Sequence, residues 1–64
     1  MIDLMSVKSK YDGKEFLINV HHITAIHEEK NGNVEILVIG GGGFQVKGTL
    51  ENIRLNVLQT MRVR

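Results

Sequence analysis

The chain has 64 residues and a mass of 7.2 kDa, room for one small domain that buries only roughly 60% of the surface its unfolded form exposes. Cysteine is absent, which excludes disulfide staples, thiolate zinc sites and a cysteine nucleophile. Eight Lys/Arg against seven Asp/Glu leave a net charge of +1, too balanced to argue by itself for nucleic acid. Val, Ile and Leu supply 20 residues, fourteen of them β-branched, and proline is absent, so nothing removes a ladder donor along the chain. Periodicity and turn residues predict a single domain over 1–64, with strands at about 2–10, 14–20, 22–29, 34–39 and 44–47 and a helix at about 50–61.

The first two strands flank Asp12-Gly13, a pair suited to a two-residue type I′ turn because both central positions there take positive φ. That turn sets Tyr11 against Lys14 and Lys10 against Glu15. Met5, Val7, Phe16, Ile18 and Val20 then share one face, while Ser6, Lys8, Lys10, Glu15 and Asn19 occupy the other. The second hairpin turns at Asn31-Gly32-Asn33 with its register open. Centring on Asn31-Gly32 opposes Glu28 to Glu35; centring on Gly32-Asn33 pairs Lys30 with Glu35. A one-residue slip flips every side chain, so the faces of 22–29 stay unassigned.

Gly40 to Gly43 form the third turn. With Gly41-Gly42 central, Ile39 faces Phe44 and Leu37 faces Val46 on one side, and Ile36 and Val38 lie with Gln45 and Lys47 on the other. Thr49 is then a suitable N-cap, and Glu51 complements the positive end of a helix. Leu50, Ile53, Val57, Leu58 and Met61 recur at helical spacing, Leu55 falls off that stripe, and Arg62 and Arg64 suit the negative end. The expected fold class is mostly β with one C-terminal helix (α+β): an antiparallel β-meander of about five strands. The helix is expected to cover one sheet face with Leu50, Ile53, Val57 and Met61.

No motif supplies a reaction. Gly43 to Gly48 has the spacing of a phosphate loop and is followed by Thr49, but the lysine between them is missing, and a dinucleotide fingerprint fails at Gln45 or Val46. The glycines read as a hairpin turn. His21, His22 and His27 invite a metal site, yet His21 and His27 on one extended strand stand about 20 Å apart. No catalytic residue, cofactor or metal ligand is therefore expected, and the chain reads as a non-enzyme.

The apolar pattern points to self-association. Val34–Ile39 is apolar on both sides, whereas an antiparallel sheet with one wet face normally alternates. One helix covers one side, so Ile36, Val38 and Leu55 are the expected oligomer interface; the alternative is that the first strand, or a curled sheet, covers the second face within one chain. Two functions follow. The first is a non-catalytic structural or regulatory module that binds protein, itself included. The second is a homo-oligomeric nucleic-acid-binding regulator using Lys8, Lys10 and Lys14; edge lysines that block strand pairing are the plainer use of the same residues. No apolar run approaches the roughly 20 residues of a bilayer span, and no signal-peptide pattern opens the chain, so a cytoplasmic, bacterial or viral protein without membrane insertion is expected.

From residue 13 onward the chain resembles the FlbD family of small bacterial flagellar proteins. The resemblance is carried by Gly13-Lys14-Glu15-Phe16, Ile18-Asn19, Ile23, Ile26 and Glu28, then by Val34, Ile36, Gly43, Phe44, Val46-Lys47, Thr49 and Ile53. The same region is more weakly similar to the second half of LytTR-type DNA-binding domains. The first resemblance implies a small non-catalytic bacterial module and assigns no functional residue.

Overall fold

Met5 and Val7 are buried while Leu4, Ser6 and Lys8 face outward, the period-two pattern of a half-buried strand. The computed structural model describes residues 1–62 and makes Leu4–Lys8 the first strand, β1. The others are β2 (Glu15–Asn19), β3 (Ile23–Glu28), β4 (Val34–Val38) and β5 (Gly43–Val46), followed by helix α1 (Leu50–Arg62). The fold is mostly β with one C-terminal helix: five antiparallel strands form a two-stranded sheet, β1-β2, and a three-stranded sheet, β3-β4-β5. A short 3₁₀ turn at Val20–His22 replaces the extended start expected for the third strand. Asn19 Oδ1 holds it by accepting from the His21 N–H.

The two sheets meet at one end. Ser9 bridges Val46, Lys10 N–H donates to the Gln45 carbonyl at 3.0 Å, and Lys47 N–H donates to the Lys8 carbonyl at 2.9 Å. The two sheets therefore form a curled pair with β1 beside β5. Met5, Val7, Ile18, Val20, Val34, Ile36 and Val46 fill its inside, and Ile53 of the helix closes it. The core covers the Val34, Ile36 and Val38 face of Val34–Ile39, while on the other face Leu37 is half-buried and Ile39 is 58% exposed.

All three hairpin registers differ from the two-residue turns expected. In the first, Lys8 faces Glu15 and Val7 faces Phe16, so Lys10 is not opposite Glu15. Four residues, 10–13, make the connection, closed by Gly13 N–H to the Ser9 carbonyl, and Asp12 does not take positive φ. The offset is two residues, an even step, so every expected face survives. The second hairpin uses neither weighed centre: His27 faces Glu35 and Ile26 faces Ile36. Its loop is Lys30–Gly32, closed by Gly32 N–H to the Glu29 carbonyl and Glu29 N–H to the Asn33 carbonyl.

The third hairpin repeats that closure: Gly41 N–H donates to the Val38 carbonyl and Val38 N–H to the Gly42 carbonyl. Gly32 and Gly41 occupy equivalent last positions in these three-residue loops, with φ of +86° and +90°, a region that L side chains enter only with strain. Here the offset from expectation is three residues, an odd step, and it flips the faces. Ile36 faces Phe44 and Val34 faces Val46 toward the core, while Leu37 faces Gly43 on the outside.

Thr49 caps α1 as expected, its Oγ1 accepting from the Asn52 N–H at 3.1 Å, and Glu51 and Arg62 sit in the first and last turns. Arg64 lies outside the described residues.

Candidate functional site

Helix α1 lies between β1 and β3, and its two flanks differ in chemistry. Successive residues advance about 100° around a helix, so Asn52 and Asn56 fall on one flank and Leu50, Arg54, Leu58 and Met61 on the other, with Ile53 and Val57 between. The polar flank meets β1, where the Asn56 side-chain amide donates to the Ser6 carbonyl. The apolar flank overhangs β3. Together Ile26, Leu50, Arg54, Val57 and Leu58 line an open groove of 330 Å³ there.

The helix therefore covers less than its stripe predicts. Ile53 is 4% exposed and Val57 is half-buried, but Leu50 is 37% exposed and Leu58 and Met61 each 45%. The expectation that Leu50 and Met61 pack on the sheet is overturned. The cause is visible in the inward residues: half-buried Asn56 and Thr60 take the places beside Ile53, which rotates the apolar arc outward. That arc runs from Ile53 to Leu58, about 140°, wider than the strip that the sheet offers. Asn56 and Thr60 were the signal in the sequence.

The expected interface residues separate. Ile36 is fully buried in the core of its own chain, and Val38 is half-buried against that core, so neither belongs to an exposed face. Leu55 is 43% exposed and remains a surface residue, off the groove. On α1, Leu50, Leu58 and Met61 are the exposed apolar residues of the flank toward β3, which face counting on Val34–Ile39 does not reach.

Lys8, Lys10 and Lys14 are exposed and fall at the end of the sheet where β1 meets β5. Lys30 and Lys47 join them there: Lys10 Nζ donates to Asn33 Oδ1 in the β3–β4 loop, and Lys47 Nζ reaches the Gly13 turn. None of these five lysines forms an ion pair among the described residues. Asp12, Glu15, Glu28 and Glu29 occupy the same end, so this end carries mixed charge and not a basic field.

His21 Nε2 lies 2.6 Å from Asp3 Oδ2, and His27 Nε2 lies 2.9 Å from Glu35 Oε1 across the β3–β4 ladder. The 3₁₀ turn holds His21 and His22, so they are not the strand neighbours expected. Among the described residues no cluster of three or more His, Asp or Glu has metal-site geometry. Ser6 Oγ donates to Glu15 Oε2, and Ser9 Oγ accepts from the Tyr11 N–H at 3.2 Å; both bonds are local to the first hairpin.

On the helix, Glu51 binds Arg54 through two hydrogen bonds of 3.1 and 2.7 Å. Arg54's guanidinium, by hydrogen bond first and by charge second, holds the Glu51 carboxyl below its ordinary range. No described helix is long and apolar enough to cross a membrane. Comparison with known proteins finds no family model, curated protein or solved structure that matches the chain.

Proposed function

We propose that the protein is a small, non-catalytic, cytoplasmic interaction module that acts by binding protein, a second copy of itself included. The observation that carries this reading is the balance of its apolar surface. Among the described residues, eleven large hydrophobic side chains are exposed against eight hydrophobic residues buried, and several of the exposed ones gather beside the α1–β3 groove. A chain of this size, without disulfides, gains stability from covering such a face with a partner. The likeness of residues 13–53 to the FlbD family agrees with a module that has no reaction of its own.

Light scattering after gel filtration at about 100 μM, a concentration that populates even a micromolar complex, is the test. A mass of at least two chains is the expected result. The nucleic-acid alternative, through Lys8, Lys10 and Lys14, predicts retention on heparin at low salt with affinity falling steeply as salt rises. Strong, salt-sensitive retention by a monomer would replace the present reading with that one.

A further inference from the structure

We propose that the open edge of β3 and the apolar flank of α1 form one surface that takes a second copy of this chain across a two-fold axis, β3 pairing antiparallel with its counterpart. The proposal rests on the self-association reading and names its surface. Among the described residues, β3 has β4 on one side and no strand on the other, and at six residues it is the longest strand. A long, unpaired edge is a template for another strand. Its bulge lies at the Ile23 end, which leaves Ala25–Glu28 regular.

The neighbouring helix flank explains why the partner is a copy and not only a strand. A strand alone satisfies the backbone of the edge but leaves Leu58 and Met61 in water. Under a two-fold axis each copy brings both an edge and a helix flank, so the surface is complementary to itself.

Side-chain chemistry selects one register. Antiparallel pairing about Ile26 sets Ile26 opposite its own counterpart on the helix side and Ala25 opposite His27, with Glu28 reaching the bulged Thr24. No like charges oppose one another directly in that central stretch. Sliding two residues either way opposes Ile26 to Glu28 or to Thr24 and splits the apolar pair. A standard interface takes about 800 Å² per partner, under one-fifth of the chain's 4458 Å². A six-residue edge together with the flank of a 13-residue helix is a surface of that order.

The test compares the wild type with Leu58→Glu and Met61→Glu on the proposed surface and Leu17→Glu on the opposite edge strand, β2. The expected masses by light scattering are two chains for the wild type and Leu17→Glu. Leu58→Glu and Met61→Glu should each give one chain, with wild-type circular dichroism. In a mixture of isotope-labelled and unlabelled wild type, filtered NOEs should join the Ile26 methyls of different chains, a readout that needs no variant to fold. A two-chain wild type whose Leu58→Glu and Met61→Glu forms keep that mass, or that lacks the Ile26 NOE, overturns this surface and leaves self-association standing. A 7.2 kDa wild type overturns both.

Discussion

The side-chain amide of Asn56 on α1 donates to the backbone carbonyl of Ser6 on β1 at 3.0 Å, a bond between residues fifty positions apart. β1 is bridged to β5 only at its far end, through Ser9 and Val46. Nearer its start, the helix takes the place of a neighbouring strand. Asn56→Ala removes one neutral hydrogen bond, and the exposed Ser6 carbonyl regains water, so the loss should be about 0.5–1.5 kcal/mol. For a domain of this size, each kcal/mol corresponds to roughly 4–8 °C in melting temperature. A melt within a degree of wild type would show that the bond does not hold the helix to β1.

Ile53 is the one helix residue that is fully buried, and it closes the core formed by both sheets. Ile53→Ala should cost about 2–5 kcal/mol, against the roughly 3–5 kcal/mol that a core of this size supplies. The variant is expected to be largely unfolded at 25 °C by circular dichroism. Cooperative melting at the wild-type temperature would mean that the helix does not seal the core.

Adjacent glycines in the third turn should respond with opposite sign. Gly41 sits at φ +90°, and an added Cβ there meets nothing within 4 Å, so Gly41→Ala introduces backbone strain alone, about 1–2 kcal/mol. Gly42 lies outside that region, and an added Cβ meets only Val38 Cγ2 at 3.5 Å, an ordinary contact. Gly42→Ala should be neutral or stabilise by about 0.4–1 kcal/mol through the unfolded chain. Urea midpoints of the two variants moving in the same direction would contradict this assignment of the turn.

Parity explains which parts of this fold are legible in the sequence. Strand positions and the helix follow from composition and periodicity, and Met5, Val7, Ile18 and Val20 fall on the expected face although the expected register is off by two. Loop length is not legible, because Asp12-Gly13 and the glycine run suit short turns as well as longer ones, and local hydrogen bonds decide between them. Asp12 Oδ1 accepts from the Lys14 N–H and Asn31 Oδ1 from the Asn33 N–H, each within a longer loop. An odd error in the third loop then inverts the reading of Ile36 and Val38. The apolar flank of α1 is hidden for another reason: a helical stripe shows which residues are apolar, not how much of the stripe the sheet reaches.

The Glu51–Arg54 pair gives a pH response of known sign. Glu51 in the folded chain ionises below its ordinary value of 4.5. Its contribution is therefore present above that value and is lost as pH falls through the lower, folded one. Both groups are fully exposed, so the effect on stability should be slight and reduced by salt. The clearer measurement is an NMR titration of the Glu51 carboxyl. Arg54→Ala should move its midpoint up toward 4.5, and an unmoved midpoint would remove Arg54 as the cause.

Val38→Lys separates a core position from an interface position. Had Val38 faced outward, as face counting on Val34–Ile39 implies, a lysine there would split an assembly and leave each chain folded. Val38 instead packs half-buried against the core, with Ile23 its partner across the ladder. The lysine stem has room to run toward solvent, but the contact with the core is lost and the ammonium is partly desolvated. The expected cost is about 1–3 kcal/mol. Because the damage lies within the chain, the drop in urea midpoint should be the same at low and high protein concentration. Leu55→Lys, on the exposed part of α1, should stay within about 0.5 kcal/mol of wild type. A Val38→Lys chain with unchanged stability and half the wild-type mass would return Val38 to the surface and refute the core face assigned to β4.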